Sequence, residues 1–147
     1  MTSYEFLDAG REQKGLREMG AQSFEDLIVW PKAMDLVEAI YRSTASLPAD
    51  ERFGLTQQLR RAAVSISSNI AEGQGRSTPI DFLRFLFIAR GSLNEVRTQL
   101  LIAVRLRFLA ELAVSQLMAQ CDEVKRLLSG LISSIESRKR GDDSLRS

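Results

Sequence analysis

The chain of 147 residues contains no histidine and a single cysteine, Cys121. Without histidine there is no usual general base near neutral pH, no Ser-His or Cys-His nucleophile pair, and no access to the commonest metal ligand. A di-iron bundle of the Glu-x-x-His type is excluded for the same reason. One cysteine cannot form an intrachain disulfide. These absences argue against an enzyme, and we predict no catalytic residue, no cofactor and no metal site.

Long apolar runs and a leader are also missing. No charge-free apolar run reaches the roughly 20 residues that span a bilayer, because arginines interrupt the apolar stretches of the middle. The chain does not open with the basic, apolar and small-residue order of a secretory signal. We therefore expect a cytoplasmic, bacterial-type protein with no membrane association.

Prolines and glycines are few, 3 and 9, while Leu, Ala, Arg, Glu and Gln are frequent. This composition predicts an all-α fold, and the length suits one domain. Residues 1–22 lack a sustained apolar period and are expected to form a flexible N-terminal arm. Residues 23–137 should form the folded bundle, and residues 138–147 a polar C-terminal tail that frays.

Apolar periodicity predicts two helices in the first half of the bundle. The first begins between Phe24 and Pro31 and ends before Leu47, with an apolar seam of Trp30, Met34, Val37, Ile40 and Tyr41. The second begins near residues 51–55 and keeps on one face Leu55, Leu59, Ala62, Ala63, Ile66 and Ile70. It should stop at residues 73–75, where a glycine can take the left-handed cap conformation.

Two more helices follow. Thr78 and Pro79 mark the start of the third, which should run over residues 79–106 with a seam of Phe82, Phe85, Ala89, Leu93, Val96, Leu100 and Ala103. After a weakly marked break at 107–112, the fourth has the cleanest period in the chain: Leu117, Cys121, Val124, Leu128, Leu131 and Ile135. Amphipathic helices with short connections predict an antiparallel up-down four-helix bundle.

The segment 55–76 combines this seam with polar residues that are costly inside a helix: Ser65, Ser67, Ser68 and Asn69. Small residues let helices approach closely, so we predict that this patch packs against Ala89, Gly91 and Ser92 of the third helix. We expect Asn69 and Glu72 to hydrogen-bond to that neighbour. A serine-based active site is disfavoured because no base is available.

Two other features have a functional and a plain interpretation. The segment 73–76 could bind an anion at the start of the third helix, but it follows a helix rather than a strand, so an ordinary glycine-capped turn is favoured. Glu72, Asp81 and Glu95 could be paired acids or metal ligands. Ion pairs with nearby arginines are the favoured interpretation.

Charge is distributed unevenly along the chain. Residues 51–107 hold nine arginines and four acidic residues, a net charge of +5, whereas residues 1–50 have a net charge of −4. Arginine suits bidentate pairing with phosphate. If the faces of neighbouring helices lie side by side, a nucleic-acid-binding surface forms from Arg60, Arg61, Arg76, Arg90 and Arg97. The alternative is that these arginines serve solvated faces and contacts between subunits.

Two segments stand out within residues 24 to about 109: RRAAVSISSNIAEGQGR (60–76) and ARGSLNE (89–95). They are accompanied by Phe24, Leu27 and Trp30 near the start and by FGLT at 53–56. In these residues the chain resembles the four-helix-bundle family encoded in intervening sequences of bacterial large-subunit ribosomal RNA genes. The family is related in fold to the accessory variability protein of diversity-generating retroelements.

The resemblance implies an antiparallel four-helix bundle that assembles into a homopentamer and has no known catalysis. The retroelement relative assists a reverse transcriptase through a basic surface that binds nucleic acid, so RNA, another nucleic acid or a reverse transcriptase are the expected partners beside the chain itself. This sequence departs from the family pattern in having Ser67 at a usual proline, Pro31 at a common glutamine, and Arg107 at a frequent helix-ending glycine.

Overall fold

The computed structural model describes residues 23–146, which form four α-helices joined by short connections. These are α1 (Val29–Thr44), α2 (Leu55–Gln74), α3 (Pro79–Arg105) and α4 (Glu111–Arg146), with short 3₁₀ helices at Phe24–Asp26 and Ala49–Glu51. Each helix packs on the next, and α4 packs back on α1. The predicted antiparallel up-down four-helix bundle is confirmed. The arm predicted for residues 1–22 lies outside the described residues.

The helix starts agree with the sequence prediction. The Thr78 hydroxyl oxygen accepts the Asp81 N–H at 3.2 Å, and Pro79 occupies the first position of α3, where its missing N–H leaves nothing unpaired. Pro31 likewise falls in the first turn of α1. Ser23 caps the preceding 3₁₀ turn by accepting the Glu25 N–H at 3.3 Å, so the cap lies before α1.

One hydrophobic core is built by all four helices. Every residue predicted for the seams of α2 and α4 is buried, including Leu59, Ile66 and Ile70 at 0% exposed and Leu128 at 1%. These two helices carry a regular three–four repeat with polar residues between, which fixes the inward face without ambiguity.

The other two predicted seams were partly wrong. In α1 the buried face is Val29, Ala33, Leu36 and Ile40, while Trp30 and Val37 are only partly buried and Tyr41 is 42% exposed. At the start of α3 the fully inward positions are Leu83 and Leu86, one residue after the predicted phenylalanines. Both helices have apolar residues on adjacent faces, so packing partners decide which face is the inner one.

The contact between α2 and α3 is close and polar, as predicted. The hydroxyls of Ser65 and Ser92 lie 2.8 Å apart, and Ser67 and Ser92 are buried beside Ala89. Two details differ. Gly91 points into open space. Asn69 donates to Ser65 on its own helix, so the link to α3 is made by Ser65.

The glycines that end α2 do not adopt the predicted left-handed conformation. Gly75 has φ −75°, and no described glycine has a positive φ. Gly73 is required for packing instead. A Cβ there would lie 2.9 Å from the Cβ of Phe85 and 3.1 Å from the ring of Phe82, so only glycine lets α3 fold back this closely.

The left-handed residue occurs at the end of α3, where Arg107 has φ +59°. The Phe108 N–H donates to the Ala103 carbonyl at 2.9 Å and the Arg107 N–H to the Val104 carbonyl at 3.1 Å. This is a Schellman motif with arginine at the position that usually holds glycine. The connection to α4 therefore depends on Arg107 adopting a left-handed backbone conformation, which residues other than glycine disfavour.

The last helix continues through the segment predicted as a frayed tail. α4 runs to Arg146, but its last buried side chain is Ile135. The division of the chain into arm, bundle and tail stays a prediction. The hydrophobic core ends at Ile135, because α4 has no buried side chain beyond it.

Candidate nucleic-acid interface

Arg60, the first predicted binding residue, makes its contacts within the chain. Its Nε donates to the Thr44 hydroxyl at 2.9 Å and its Nη2 to the Tyr41 carbonyl at 3.4 Å. The guanidinium also lies 4.6 Å from the centroid of the Tyr41 ring. A cation here satisfies carbonyl and hydroxyl groups in the last turn of α1 and faces the negative end of its dipole. Arg60 thus joins α2 to α1.

Arg97 also makes its contacts within the chain, on the flank of α3 that faces α4. It forms an ion pair with Asp122 of α4, and its side chain is 26% exposed. Arg90 lies seven residues earlier, on the same flank of α3, and its guanidinium sits 4.9 Å from the centroid of the Phe87 ring. Since Ser92 marks the flank of α3 that faces α2, Arg90 and Arg97 lie on the side towards α4.

Arg76 lies at the corner between α2 and α3, together with an arginine that the sequence prediction left out. The guanidinium groups of Arg76 and Arg84 lie 4.7 and 5.8 Å from the centroid of the same ring, Phe85. Both are also in exposed ion pairs, with Glu72 at 3.6 Å and Asp81 at 3.4 Å. Their side chains remain 45% and 67% exposed, so solvent and ligands reach them.

We call Arg76, Arg84, Arg90, Phe85 and Phe87 the arginine–phenylalanine cluster. Its members follow one another from the α2–α3 turn along the first three turns of α3. The spacing Arg84-Phe85-x-Phe87-x-x-Arg90 could have indicated it in the sequence, because each arginine is within one turn of an aromatic ring. The fifth predicted residue, Arg61, is exposed on α2, about 22 Å along the axis from Arg76.

The single basic surface predicted from the sequence required the arginine faces to lie side by side. The structure places Arg60 towards α1, Arg97 towards α4, and Arg61 on the exposed side of α2. Only Arg76 and Arg84 share a contact group. Consecutive arginines in a helix point about 100° apart, so Arg60 reaches α1 while Arg61 projects from the exposed side of α2.

The remaining candidate residues have structural surroundings. The backbone N–H groups of Gly75 and Arg76 donate to the Ala71 and Gly73 carbonyls, so the segment 73–76 is a helix end rather than an anion cradle. Within residues 23–146 no three His, Cys, Asp or Glu side chains are grouped so that they could hold a metal. Burial raises the pKa of the Cys121 thiol to about 11, although Arg97 opposes the shift. Cys121 is a buried, neutral part of the α4 seam.

Among the described helices, none combines the length and apolar character that crossing a membrane requires.

Comparison with known proteins agrees with this architecture. Six chains of solved structures match. One is the 1.70 Å crystal structure of a protein of unknown function from the S23 ribosomal protein family of Bacteroides thetaiotaomicron, with 23% sequence identity and a TM-score of 0.68. The match covers 72% of this chain and 96% of that chain. None of the curated proteins compared with the chain matches it.

The fold and the exposed arginines define a small all-α bundle in which no catalytic feature is visible among the described residues. Residues 25–130 match the family described as 23S rRNA-intervening sequence protein, which extends the resemblance beyond α3 into the first half of α4. The chain belongs to this family.

Proposed function

We propose that the protein is a non-enzymatic, self-assembling helical bundle that binds nucleic acid, specifically RNA, through its exposed arginines. The observation that carries this proposal is the arginine–phenylalanine cluster. Two guanidinium groups lie against the Phe85 ring at the α2–α3 corner, a third lies against the Phe87 ring further along α3, and all three residues stay accessible to solvent.

Stacked arginines suit a nucleic acid for two reasons. The ring restricts the guanidinium, so less side-chain entropy is lost when phosphate binds. The exposed planes also offer stacking surfaces for unpaired bases, which is how many proteins recognise single-stranded RNA. Phe87 is 39% exposed and can contribute its own face. Arg61 adds a further phosphate contact on α2.

The carboxylates of Glu72 and Asp81 do not prevent this. Both pairs are solvent-exposed, at 3.6 and 3.4 Å, and exposed pairs contribute at most about 1 kcal/mol. A phosphate can therefore replace either carboxylate at small cost. The name of the family refers to 23S ribosomal RNA intervening sequences, which makes ribosomal RNA the first ligand to test.

The test is a binding titration of labelled ribosomal RNA fragments and a mixed-sequence single strand over a salt series. We expect the affinity to fall steeply with salt, because phosphate neutralisation releases counterions. A triple variant, Arg76→Gln, Arg84→Gln and Arg90→Gln, should lower the slope of log K against log salt by about 3.

The control carries the same charge change elsewhere: Arg126→Gln, Arg138→Gln and Arg140→Gln on the exposed side of α4. It should keep most of the affinity. Absence of binding at low salt, or equal losses in both triple variants, would rule out the cluster as the binding site.

The second candidate is a protein-interaction scaffold whose arginines mainly form contacts between subunits. The exposed aliphatic residues of α3 support it, because they lie outside the arginine–phenylalanine cluster: Ile80, Ile88, Leu101 and Ile102. Under this hypothesis the chain assembles into the pentamer that the resemblance implies, and its affinity for every nucleic acid stays negligible. Replacing Arg90 would then change the mass of the assembly and leave nucleic-acid binding absent.

A further inference from the structure

The side of α3 that faces away from the bundle is unusually apolar. Six large apolar side chains at or near this side are between 39% and 61% exposed: Ile80, Phe87, Ile88, Leu101, Ile102 and Leu106. We call this the outer α3 face. Residues 80, 87, 91, 98 and 102 follow one another at steps of seven and four, so they form one stripe along the helix.

The inner side of the same helix is also apolar. Leu86, Leu93, Val96 and Leu100 are at most 1% exposed in the core. A helix that is apolar on both sides is normally buried on both sides. Within residues 23–146 no element covers the outer α3 face, because α2 and α4 occupy the two flanks.

The size of the face fits an interface with another protein chain. Half-exposed side chains of this size together present roughly 500 Å² of apolar surface, which is large for a monomer. The intervening polar residues enlarge the patch towards the roughly 800 Å² per partner of a specific interface. At the end of α3 lies an apolar depression of about 300 Å³ lined by Thr98, Leu101, Ile102, Val104 and Arg105.

Gly91 lies in the middle of the stripe and gives a second, independent indication. A Cβ at this position would meet nothing within 4 Å, so the packing of the chain does not require glycine. Glycine inside an exposed helix costs about 1 kcal/mol relative to alanine. A glycine on a helix face lets another backbone approach closely, which would offset that cost. The space above Gly91 is where a second chain would pass.

We propose that the outer α3 face, centred on Gly91, is the surface by which one copy of this chain binds a second copy. This inference rests on the self-assembly part of the proposed function and assigns it a location. The face carries charges of both signs, with Arg84 and Arg105 towards its ends and Glu95 near its middle. A copy of the same chain therefore supplies opposite charges as well as apolar area.

The test measures molar mass by light scattering and sedimentation over a range of concentrations for two variants, Gly91→Leu and Ile102→Glu. Because Gly91 faces open space, a leucine there leaves the fold of one copy intact but obstructs a second backbone. Ile102→Glu places a charge in the apolar stripe. Each should raise the dissociation constant of the assembly at least about tenfold.

Two controls accompany these variants. Gly91→Ala strengthens the helix, and Val64→Glu introduces the same charge at a similarly exposed apolar position, 39% against 41%, on α2. The control Val64→Glu should assemble like the wild type. Circular dichroism confirms that each variant is folded.

If the wild type assembles and both α3 variants keep its mass, the outer α3 face is not the interface, while self-assembly itself stands. If the wild type is monomeric at every concentration, both this inference and the self-assembly part of the proposed function are wrong. Phe87 belongs to both the outer α3 face and the arginine–phenylalanine cluster, but Gly91 and Ile102 lie outside the cluster. RNA binding is measured separately, and its outcome does not affect either conclusion.

Discussion

The two sides of α3 show how little apolar character alone says about a residue's role. Leu93 and Val96 on the inner side are 1% and 0% exposed, whereas Ile88 and Ile102 on the outer side are 47% and 41% exposed. All four are aliphatic residues in one continuous helix. The inner ones have partners from the other helices, and the outer ones have none within the described chain. The difference lies in the partners, not in the side chains.

The largest effect should come from truncating one residue on each side. Leu93→Ala removes a fully packed side chain and leaves a cavity, so it should lower the free energy of unfolding by about 3–4 kcal/mol. Ile102→Ala, measured at a concentration where the chain is monomeric, should change it by less than about 0.5 kcal/mol. Urea denaturation followed by circular dichroism measures both. Similar losses at the two sites would mean that the outer side is covered within one copy.

A matched pair of glycines gives the next largest effect. Gly73→Ala places a Cβ 2.9 Å from the Cβ of Phe85, so α2 and α3 must separate, which should cost about 1–3 kcal/mol. Gly91→Ala meets no atom and should stabilise the monomer by about 0.5–1 kcal/mol. Thermal unfolding of the two variants should therefore shift in opposite directions. A shift in the same direction would contradict the geometry of the α2–α3 contact.

The same comparison extends to two adjacent arginines of α2. Arg60→Met removes two hydrogen bonds and the contact with the Tyr41 ring, and should cost about 1–2 kcal/mol. Arg61→Met alters an exposed side chain and should stay within about 0.5 kcal/mol. Denaturant unfolding measures the difference in unfolding free energy from the two midpoints, provided that the dependence of that free energy on denaturant is unchanged. If both variants lost the same unfolding free energy, Arg61 would have to make a stabilising contact comparable to those of Arg60.

The smallest effect concerns the turn after α3. Arg107→Gly removes a side chain from a left-handed backbone with φ +59° and should stabilise the fold by about 1 kcal/mol. Arg105→Gly, inside the last turn of α3, is the control and should destabilise it. If Arg107→Gly lowers the melting temperature, its side chain makes a contribution that outweighs the backbone strain.

Much of the fold could be predicted from local patterns. The start of α3 followed from Thr78 and Pro79, because capping is a short-range interaction. The seams of α2 and α4 followed from their clean repeats. The seam of α1 and the first turns of α3 could not be fixed in the same way, since adjacent faces are both apolar there. There Phe82 and Phe85 lie against Gly73 of α2, and Leu83 and Leu86 take the buried positions.

The candidate site was predictable only in part. The excess of arginine in residues 51–107 is visible in the sequence, but the direction of each guanidinium depends on its neighbours. Thr44 and Tyr41 hold Arg60, and Asp122 holds Arg97, across distances of 16 to 25 residues in the chain. Within the arginine–phenylalanine cluster, only the contact of Arg76 with Phe85 depends on the α2–α3 turn, whereas the contacts of Arg84 and Arg90 are made within α3.

Periodicity and short motifs along the chain were enough to predict the all-α class, the four helices, the N-cap of α3 and the family. The small residues Ser65 and Ser92 also predicted the close approach of α2 and α3, whereas the packing role of Gly73 was seen only in the structure. The packing of the helices was needed to show which arginines make contacts inside the bundle and which apolar residues of α3 remain in solvent. Both outcomes depend on contacts between helices, and a pattern along one helix does not specify the partner on its other side.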